Sequence, residues 1–287
     1  MPTRARAGRR RGRSRCRARG GSESSLVALV KTVTSRFWMT SGKAHPNGRG
    51  ACAIRAHSVR RSDVCAVIPA YQCEGTVGRV VEGVRHHLER VVVVDDGSRD
   101  ATARAALAAG AEVLSLPANR GKGFALRAGI ERALAGTVAA VALLDADGQH
   151  DPADLPRLLE AWDTRRPDLV IGARLADREQ IPSARFWTNY IGSRVLSWMT
   201  GAELEDSQSG YRLLSASLAR RLRLRSDGYP IESEMLIKAA RLAARFEHVR
   251  VSTIYNDEGS HFRPVLDTFR ISCAAIYFKV FDDLGPA

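Results

Sequence analysis

Seven consecutive apolar residues, Val138 to Leu144, run without a polar break into Asp145-Ala146-Asp147-Gly148-Gln149-His150. A strand with one wet face alternates apolar and polar residues. An unbroken run instead belongs to a strand covered on both faces, in the middle of a mostly parallel sheet. Open sheets of that kind gather their ligands just beyond the carboxyl ends of the strands. Two aspartates separated by one residue can both reach a hard divalent cation there, and such a cation suits a diphosphate. Val91-Val92-Val93-Val94 ends in Asp95-Asp96 in the same way. The pattern points to an enzyme for a nucleotide-diphosphate substrate.

From Val64 onward, apolar runs alternate with helical patterns, which predicts βαβ units. The expected strands are Val64–Ile68, Val91–Asp95, Glu112–Leu116, Ala139–Asp145 and Leu169–Gly172, with helices near Thr76–Leu88, Asp100–Ala109, Lys122–Ala135 and Asp154–Trp162. Thr102 and the 98–100 stretch offer N-cap chemistry, and Gly110 a C′ residue. After Gly172 the chain becomes polar, Arg-bearing and Gly-punctuated. A helix is expected over Ser183–Thr200, helical periodicity over Ile231–Ala244 and a short strand over His248–Thr253. The Asp267–Phe281 segment reads either as a packed terminal helix or as one lying on a membrane surface.

The net charge of +13 suggests nucleic acid until it is mapped along the chain. Residues 1–62 carry 16 Lys+Arg against one acidic residue, Glu23, a local +15; the remainder carries 28 against 30. The body is therefore nearly neutral, which argues against specific nucleic-acid binding. The tail has too little apolar content to fold and is expected to be disordered. Its readings are a true translation start downstream near Met39, an anchor for anionic lipid or nucleic acid, and an organelle-type presequence. The five cysteines are odd in number and form no Cys-x-x-Cys pair, as expected of reduced thiols in a cytoplasmic protein. No apolar run approaches the ~20 residues of a spanning helix.

Val64-Cys65-Ala66-Val67-Ile68-Pro69-Ala70-Tyr71-Gln72, then Val92-Val93-Val94-Asp95-Asp96-Gly97-Ser98, then the 145–150 run, resemble the family 2 glycosyltransferases. Within them the chain is similar to the dolichol-phosphate mannose synthase branch, which moves a sugar from a nucleotide to a polyprenyl phosphate. Asn119-Arg120-Gly121-Lys122-Gly123, Val170-Ile171-Gly172-Ala173-Arg174 and Asp206-Ser207-Gln208-Ser209-Gly210-Tyr211-Arg212 match in order, so the resemblance covers roughly 64–260.

The resemblance implies a GT-A-type, Rossmann-like α/β fold: a mostly parallel sheet flanked by helices over 63–262, after a tail over 1–62 and before an amphipathic helix over 263–287. It implies that Pro69, Ala70 and Tyr71 line the nucleoside pocket, with Asp96 accepting from base or ribose. Asp145, Asp147 and Gln149 would meet Mg²⁺ or Mn²⁺, whose Lewis-acid role is to neutralise the departing diphosphate. Lys122 with its flanking glycines suits a phosphate approach, although a plain turn opening a helix explains the same residues. Arg174 is assigned to the acceptor phosphate, with Arg185 and Arg194 as further candidates that a solvated helix face explains nearly as well. An acceptor phosphate is already anionic and needs little general-base help. Were the acceptor an alcohol, on a sugar or a glycolipid, Asp206 with Glu205 beside it is the best base. His150 would either hydrogen-bond the acceptor or simply pack. Glu232 and Glu234 are explained by a helix start, with Glu234 also a candidate sugar contact. Near Tyr255–Arg263 a Ser-Lys pair is usual, whereas Ser260-His261-Phe262-Arg263 stands here; Arg263 would take over diphosphate contact.

The implied partners are a nucleotide-sugar donor, a polyprenyl-phosphate or glycolipid acceptor and a membrane surface, met peripherally at the cytoplasmic face. A nicotinamide oxidoreductase would carry Gly-x-Gly-x-x-Gly after the first strand, and Pro69–Glu74 does not supply it. A pyrophosphorylase would open with a Gly-rich loop, and 68–75 holds one glycine.

Overall fold

A computed structural model describes residues 60–174, 183–228, 230–252 and 254, and for 183–188 the backbone alone. The basic tail, except its last three residues, the 175–182 segment, Arg263 and the C-terminal helix expected over 263–287 lie outside the described residues.

Seven strands form one sheet: β1 (Val64–Ala70), β2 (Arg90–Asp95), β3 (Glu112–Ser115), β4 (Ala140–Leu143), β5 (Leu169–Ala173), β6 (Arg212–Ser215) and β7 (Phe246–Arg250), in the order β3-β2-β1-β4-β6-β5-β7. The helices are α1 (Val77–Arg85), α2 (Thr102–Ala108), α3 (Lys122–Leu134), α4 (Leu155–Arg165), α5 (Ser183–Thr200), α6 (Ala216–Arg221) and α7 (Ile231–Arg241). Every residue of β1, β4 and β5 is buried, which is why those stretches read as unbroken apolar runs. On β1, Cys65 and Val67 meet the cluster beneath α3, α5, α6 and α7. Val64, Ala66 and Ile68 meet the opposite cluster beneath α1 and α4. That period-2 split is the pleat dividing one strand between two cores.

The expected parallel order holds from β3 through β4, and then changes. β6 enters antiparallel to both β4 and β5, pairing Ala140 with Ser215 and Leu169 with Leu214. Neither β6 nor the short α6 is predicted by periodicity. Four residues are too few to show a period, and Arg212 begins the strand fully buried where a cation is not expected. The last strand is expected over His248–Thr253 and lies at Phe246–Arg250, because its parallel register against Leu169–Ala173 fixes its limits. Among the described residues no helix is long and apolar enough to cross a membrane.

Candidate active site

β1, β2 and β4 are parallel, so their carboxyl ends deliver three loops to one edge of the sheet. The loop after β1 is braced from its neighbour: Gln72 N donates to Ser98 Oγ (2.9 Å) and Cys73 N to Thr102 Oγ1 (2.8 Å). Gln72 takes a left-handed φ of 51°, a conformation uncommon outside glycine. Beside it Tyr71 is left 44% exposed, an aromatic face open at the edge where a nucleoside is expected. Pro69 and Ala70 are the end of β1 itself, and both are buried.

Asp95 and Asp96 divide their work. Asp95 Oδ1 accepts from Ser98 N (3.1 Å), an Asx-type closure of the turn. Asp96 is buried, and its two oxygens accept from Arg120 N and Gly121 N, both at 2.8 Å. It therefore fixes the loop that opens α3. Both its oxygens already hold backbone donors, so contact with base or ribose would have to use its remaining lone pairs.

The glycines of 119–123 have a different purpose from the expected phosphate approach. Gly123 N (2.8 Å) and Phe124 N (3.2 Å) donate to Asp227 O, so the N–H groups that open α3 are taken by the crossing 226–228 backbone. Gly121 sits at φ +94° against that backbone. Lys122 turns inward, 2.7 Å from Asp145 Oδ1 and 2.7 Å from Glu232 Oε1. Burial opposes its charge, but the two carboxylates outweigh burial and raise its pKa.

The turn after β4 is anchored by Thr76 Oγ1 donating to Ala146 O (2.7 Å). Burial alone would push the Asp145 carboxyl up; Lys122, with His150 and Arg174 helping, holds it at about 2. Asp147 is exposed at the mouth and accepts from Gln149 N (2.9 Å). Its carboxyl is pushed up, first by lost solvation and then by the charge of Asp145. His150 packs: it is buried against Tyr211 (ring centroids 5.2 Å apart), and burial lowers its pKa to about 4. Its Nδ1 accepts from Asp145 N at 3.3 Å.

On the other side of the sheet switch, Arg174 follows β5 and meets Asp206 in a two-pronged pair: Nε to Oδ2 at 2.8 Å and Nη2 to Oδ1 at 3.2 Å. Arg174 N, Asn189 Nδ2 and Gln208 N also donate to the same carboxylate. Asp206 is 0% exposed, and although burial opposes its charge, Arg174 and Asn189 hold its pKa at about 2. Five donors on two buried oxygens leave little room for a substrate proton, which counts against Asp206 as the base that an alcohol acceptor would need. It orients Arg174 instead. Of the other two acceptor candidates, Arg194 is not brought together with Arg174. Arg194 stands on the exposed face of α5 beside Tyr190, and Arg185 lies on the same helix at a position whose side chain is outside the described residues.

Three residues of the site carry no role from sequence alone. Glu232 reaches Lys122, whereas Glu234, explained by a helix start and also a candidate sugar contact, is 0% exposed and accepts from Arg225 N (2.7 Å) and Ser226 N (2.8 Å). Two residues apart on a helix, the pair faces different ways, and the sequence does not say which faces the site. Arg212, 1% exposed, donates to Ser207 O, Ser209 O and Glu232 O and so pins the 207–209 loop to the start of α7. Asn189 is visible only once α5 is docked.

That loop passes very close to the acidic turn. A Cβ on Gly210 would stand 2.6 Å from Asp145 Oδ2. Gly210→Ala is therefore expected to displace Asp145 and cut turnover about tenfold or more, with the thermal midpoint lowered by only a few degrees. Steady-state kinetics beside a melting curve checks this; unchanged turnover would show that the contact is absorbed by the loop.

Residues 65–221 match the sequence model of Glycosyl transferase family 2. Undecaprenyl-phosphate mannosyltransferase of Micrococcus luteus is 34% identical over 211 residues, covering 68% of this chain and 85% of that protein. UDP-N-acetylglucosamine–dolichyl-phosphate N-acetylglucosaminyltransferase of Methanococcus voltae is 28% identical over 215 residues, covering 67% and 85%. Glucosyl-3-phosphoglycerate synthase of Mycobacterium tuberculosis, solved with Mn²⁺, UDP-glucose and phosphoglyceric acid, superposes with a TM-score of 0.60 at 21% identity over 77% of this chain and 81% of that one, a likeness of fold. Matched by the family model over more than half of its length, and folded in the GT-A manner, this chain belongs to the family 2 glycosyltransferases.

Proposed function

We propose that this enzyme transfers a sugar from a nucleoside-diphosphate sugar to a polyprenyl phosphate, with inversion at the anomeric carbon, at a membrane surface. The observation that carries the reading is the saturated Asp206. The best-placed buried carboxylate is spent on holding a cation, Arg174, so the site is built to bind an anionic nucleophile rather than to deprotonate a neutral one. The acceptors named for the two relatives, undecaprenyl phosphate and dolichyl phosphate, are of that kind.

In the step, an oxygen of the acceptor phosphate attacks the anomeric carbon as the bond to the nucleoside diphosphate breaks. The products are a sugar phosphodiester and the free nucleoside diphosphate, and no proton changes hands. Arg174 holds the incoming phosphate in line, its guanidinium aimed by Asp206. Pro69, Ala70 and Tyr71 receive the nucleoside. Lys122 fixes Asp145 through the Glu232 bridge. Asp145 and Asp147 put two carboxylates on the one turn that follows β4, a hard-oxygen donor set that fits a divalent cation. Asp145, Asp147 and Gln149 would hold Mg²⁺ or Mn²⁺ through hard oxygen donors. Bound there, the ion would neutralise charge on the leaving diphosphate.

The test pairs purified protein and Mn²⁺ with UDP-glucose, UDP-N-acetylglucosamine or GDP-mannose, and either a polyprenyl phosphate or a glycolipid alcohol. Nucleoside diphosphate release is expected with one donor and only with the phosphate. Arg174→Lys keeps the charge but loses the fork, and is expected to raise the acceptor KM about tenfold or more while leaving the donor KM unchanged. Release with the alcohol alone would sink the proposal.

A further inference from the structure

The first turns of α3 and α7 are brought together by the 226–228 backbone. Gly123 N and Phe124 N donate to Asp227 O, and Ile231 N donates to Gly228 O (3.2 Å), so one short stretch caps α3 and leads into α7. Lys122 opens α3 and Glu232 is the second residue of α7, and the junction sets them side by side across 110 positions of sequence. Lys122 Nζ lies 2.7 Å from Glu232 Oε1 and 2.7 Å from Asp145 Oδ1. An ammonium thus rests on an oxygen of a carboxylate assigned above to a divalent cation. Both cations would share Asp145. With the Lys122 and Glu232 side chains only 18% and 12% exposed, their repulsion is far stronger than in water. The other charges around the turn do not offset it. Arg174 is matched by Asp206 and the buried His150 is uncharged, whereas Arg212 is held by three carbonyl oxygens rather than by a carboxylate. Asp145 and Asp147 only balance Lys122 and Arg212, so Glu232 is what leaves the turn negative. Glu234 does not stand in for it, since Arg225 N, Ser226 N and Lys238 Nζ (2.8 Å) engage its carboxylate.

We infer that Glu232 sets the affinity of the cation site without touching the cation. It shares Lys122 with Asp145 and keeps the turn after β4 net negative, so that a divalent ion and the ammonium can occupy one carboxylate together. Glu232 is thus a positioning residue that acts through Lys122. The inference rests on the cation site proposed above and adds the residue that tunes it. Removing the charge of Glu232 leaves the Lys122 charge to Asp145 and brings the site to no net charge, which holds an incoming dication less well. Removing the Lys122 charge as well restores the balance. A bridge that served only to join α3 to α7 would move the melting temperature and leave the affinity for the ion where it was.

The full chain is titrated with Mn²⁺ in the presence of UDP or of GDP, and free Mn²⁺ is read from its electron paramagnetic resonance signal against a protein-free titration. No turnover is needed. Glu232→Gln is expected to weaken Mn²⁺ binding about tenfold or more, whereas Glu232→Asp, which keeps the charge, should stay within about threefold of the wild type. The double variant Lys122→Met with Glu232→Gln is balanced again and is expected to recover most of the loss, the coupling shown by two groups that act as a unit. Unchanged Mn²⁺ affinity in Glu232→Gln overturns the inference, whatever its melting temperature. So does a double variant as weak as Glu232→Gln, which would mean that Glu232 meets the ion itself or acts only through the fold. Asp147→Ala separates this inference from the reading beneath it. Wild-type Mn²⁺ binding that is absent, or that Asp147→Ala leaves intact, sinks both. Binding that depends on Asp147 and ignores Glu232 sinks the inference alone.

Discussion

Replacing Asp147 by alanine is expected to lower turnover by about three orders of magnitude at saturating Mn²⁺, a transition-state loss of roughly 4 kcal/mol. The fold should not notice. Asp147 is exposed on a turn held chiefly by Thr76 Oγ1 on Ala146 O and the burial of Ala146, and its carboxylate adds one local hydrogen bond, from Gln149 N. What the variant loses is the second of two negative charges on one turn, and with it most of the affinity for a divalent cation. Asp147→Asn separates charge from shape: it keeps an oxygen at the mouth and should remain at least a hundredfold impaired, because a neutral amide is a weak partner for a hard ion. Nucleoside diphosphate release titrated against Mn²⁺, alongside a melting curve, measures both. A loss below tenfold in the alanine variant would mean that the diphosphate is neutralised elsewhere. Lys122 would be the first place to look, since it already stands 2.7 Å from Asp145.

Asp206→Asn is expected to be the most destabilising single change at the site. The asparagine is the same shape, but its amide nitrogen faces donors: Arg174 through three nitrogens, Asn189 Nδ2 and Gln208 N. A guanidinium that was paired is left buried without its counter-ion, a loss of about 3–5 kcal/mol. In a domain of this size that corresponds to a fall in melting temperature of roughly 6–20 °C. Arg174→Met in the same background should recover much of the stability and none of the activity, since removing both charges leaves nothing unpaired. The pH dependence carries the same signature. The folded carboxyl lies at about 2, below its ordinary value of 3.8, so its contribution is fully present above that ordinary value. It is lost as the pH falls from about 4 towards 2, where the unfolded chain binds the proton first. Wild-type stability should fall over that window, and the asparagine variant should show a shallower dependence. Equal slopes would mean that Asp206 is not the carboxylate holding Arg174.

Both predictions sit where the sequence was readable to different depths. The continuous runs ending in Asp95-Asp96 and Asp145-x-Asp147, with the run Val64–Ile68 before Pro69, determined β1, β2 and β4, their burial on both faces and the edge at which ligands collect, because a doubly covered strand leaves a local compositional mark. The helices between them were placed to within a few residues for the same reason: period and capping are near-neighbour effects. Arg174 and Asp206 were both legible as site residues, yet their relation was not. They are 32 residues apart in sequence, and which carboxylate aims which cation depends on an antiparallel strand, β6, too short to show a pattern. Glu232 was not separable from Glu234, nor Asn189 from the surface polar residues of its helix, since only docking decides which side faces the cleft. The 119–123 glycines looked like a phosphate loop and prove to make room for the 226–228 backbone, which arrives from a hundred residues away.

By itself, then, the sequence determined the first strands and the helices between them, the acidic turns and the family, all of them written in short windows by burial and local backbone chemistry. Only the tertiary structure decided that Lys122 bridges Asp145 and Glu232, that Asp206 pairs with Arg174, and that Asn189 of α5 joins them. Each of those depends on the energy of bringing charged or polar groups together out of water. That energy is set by the partner across the fold rather than by the residue next in line.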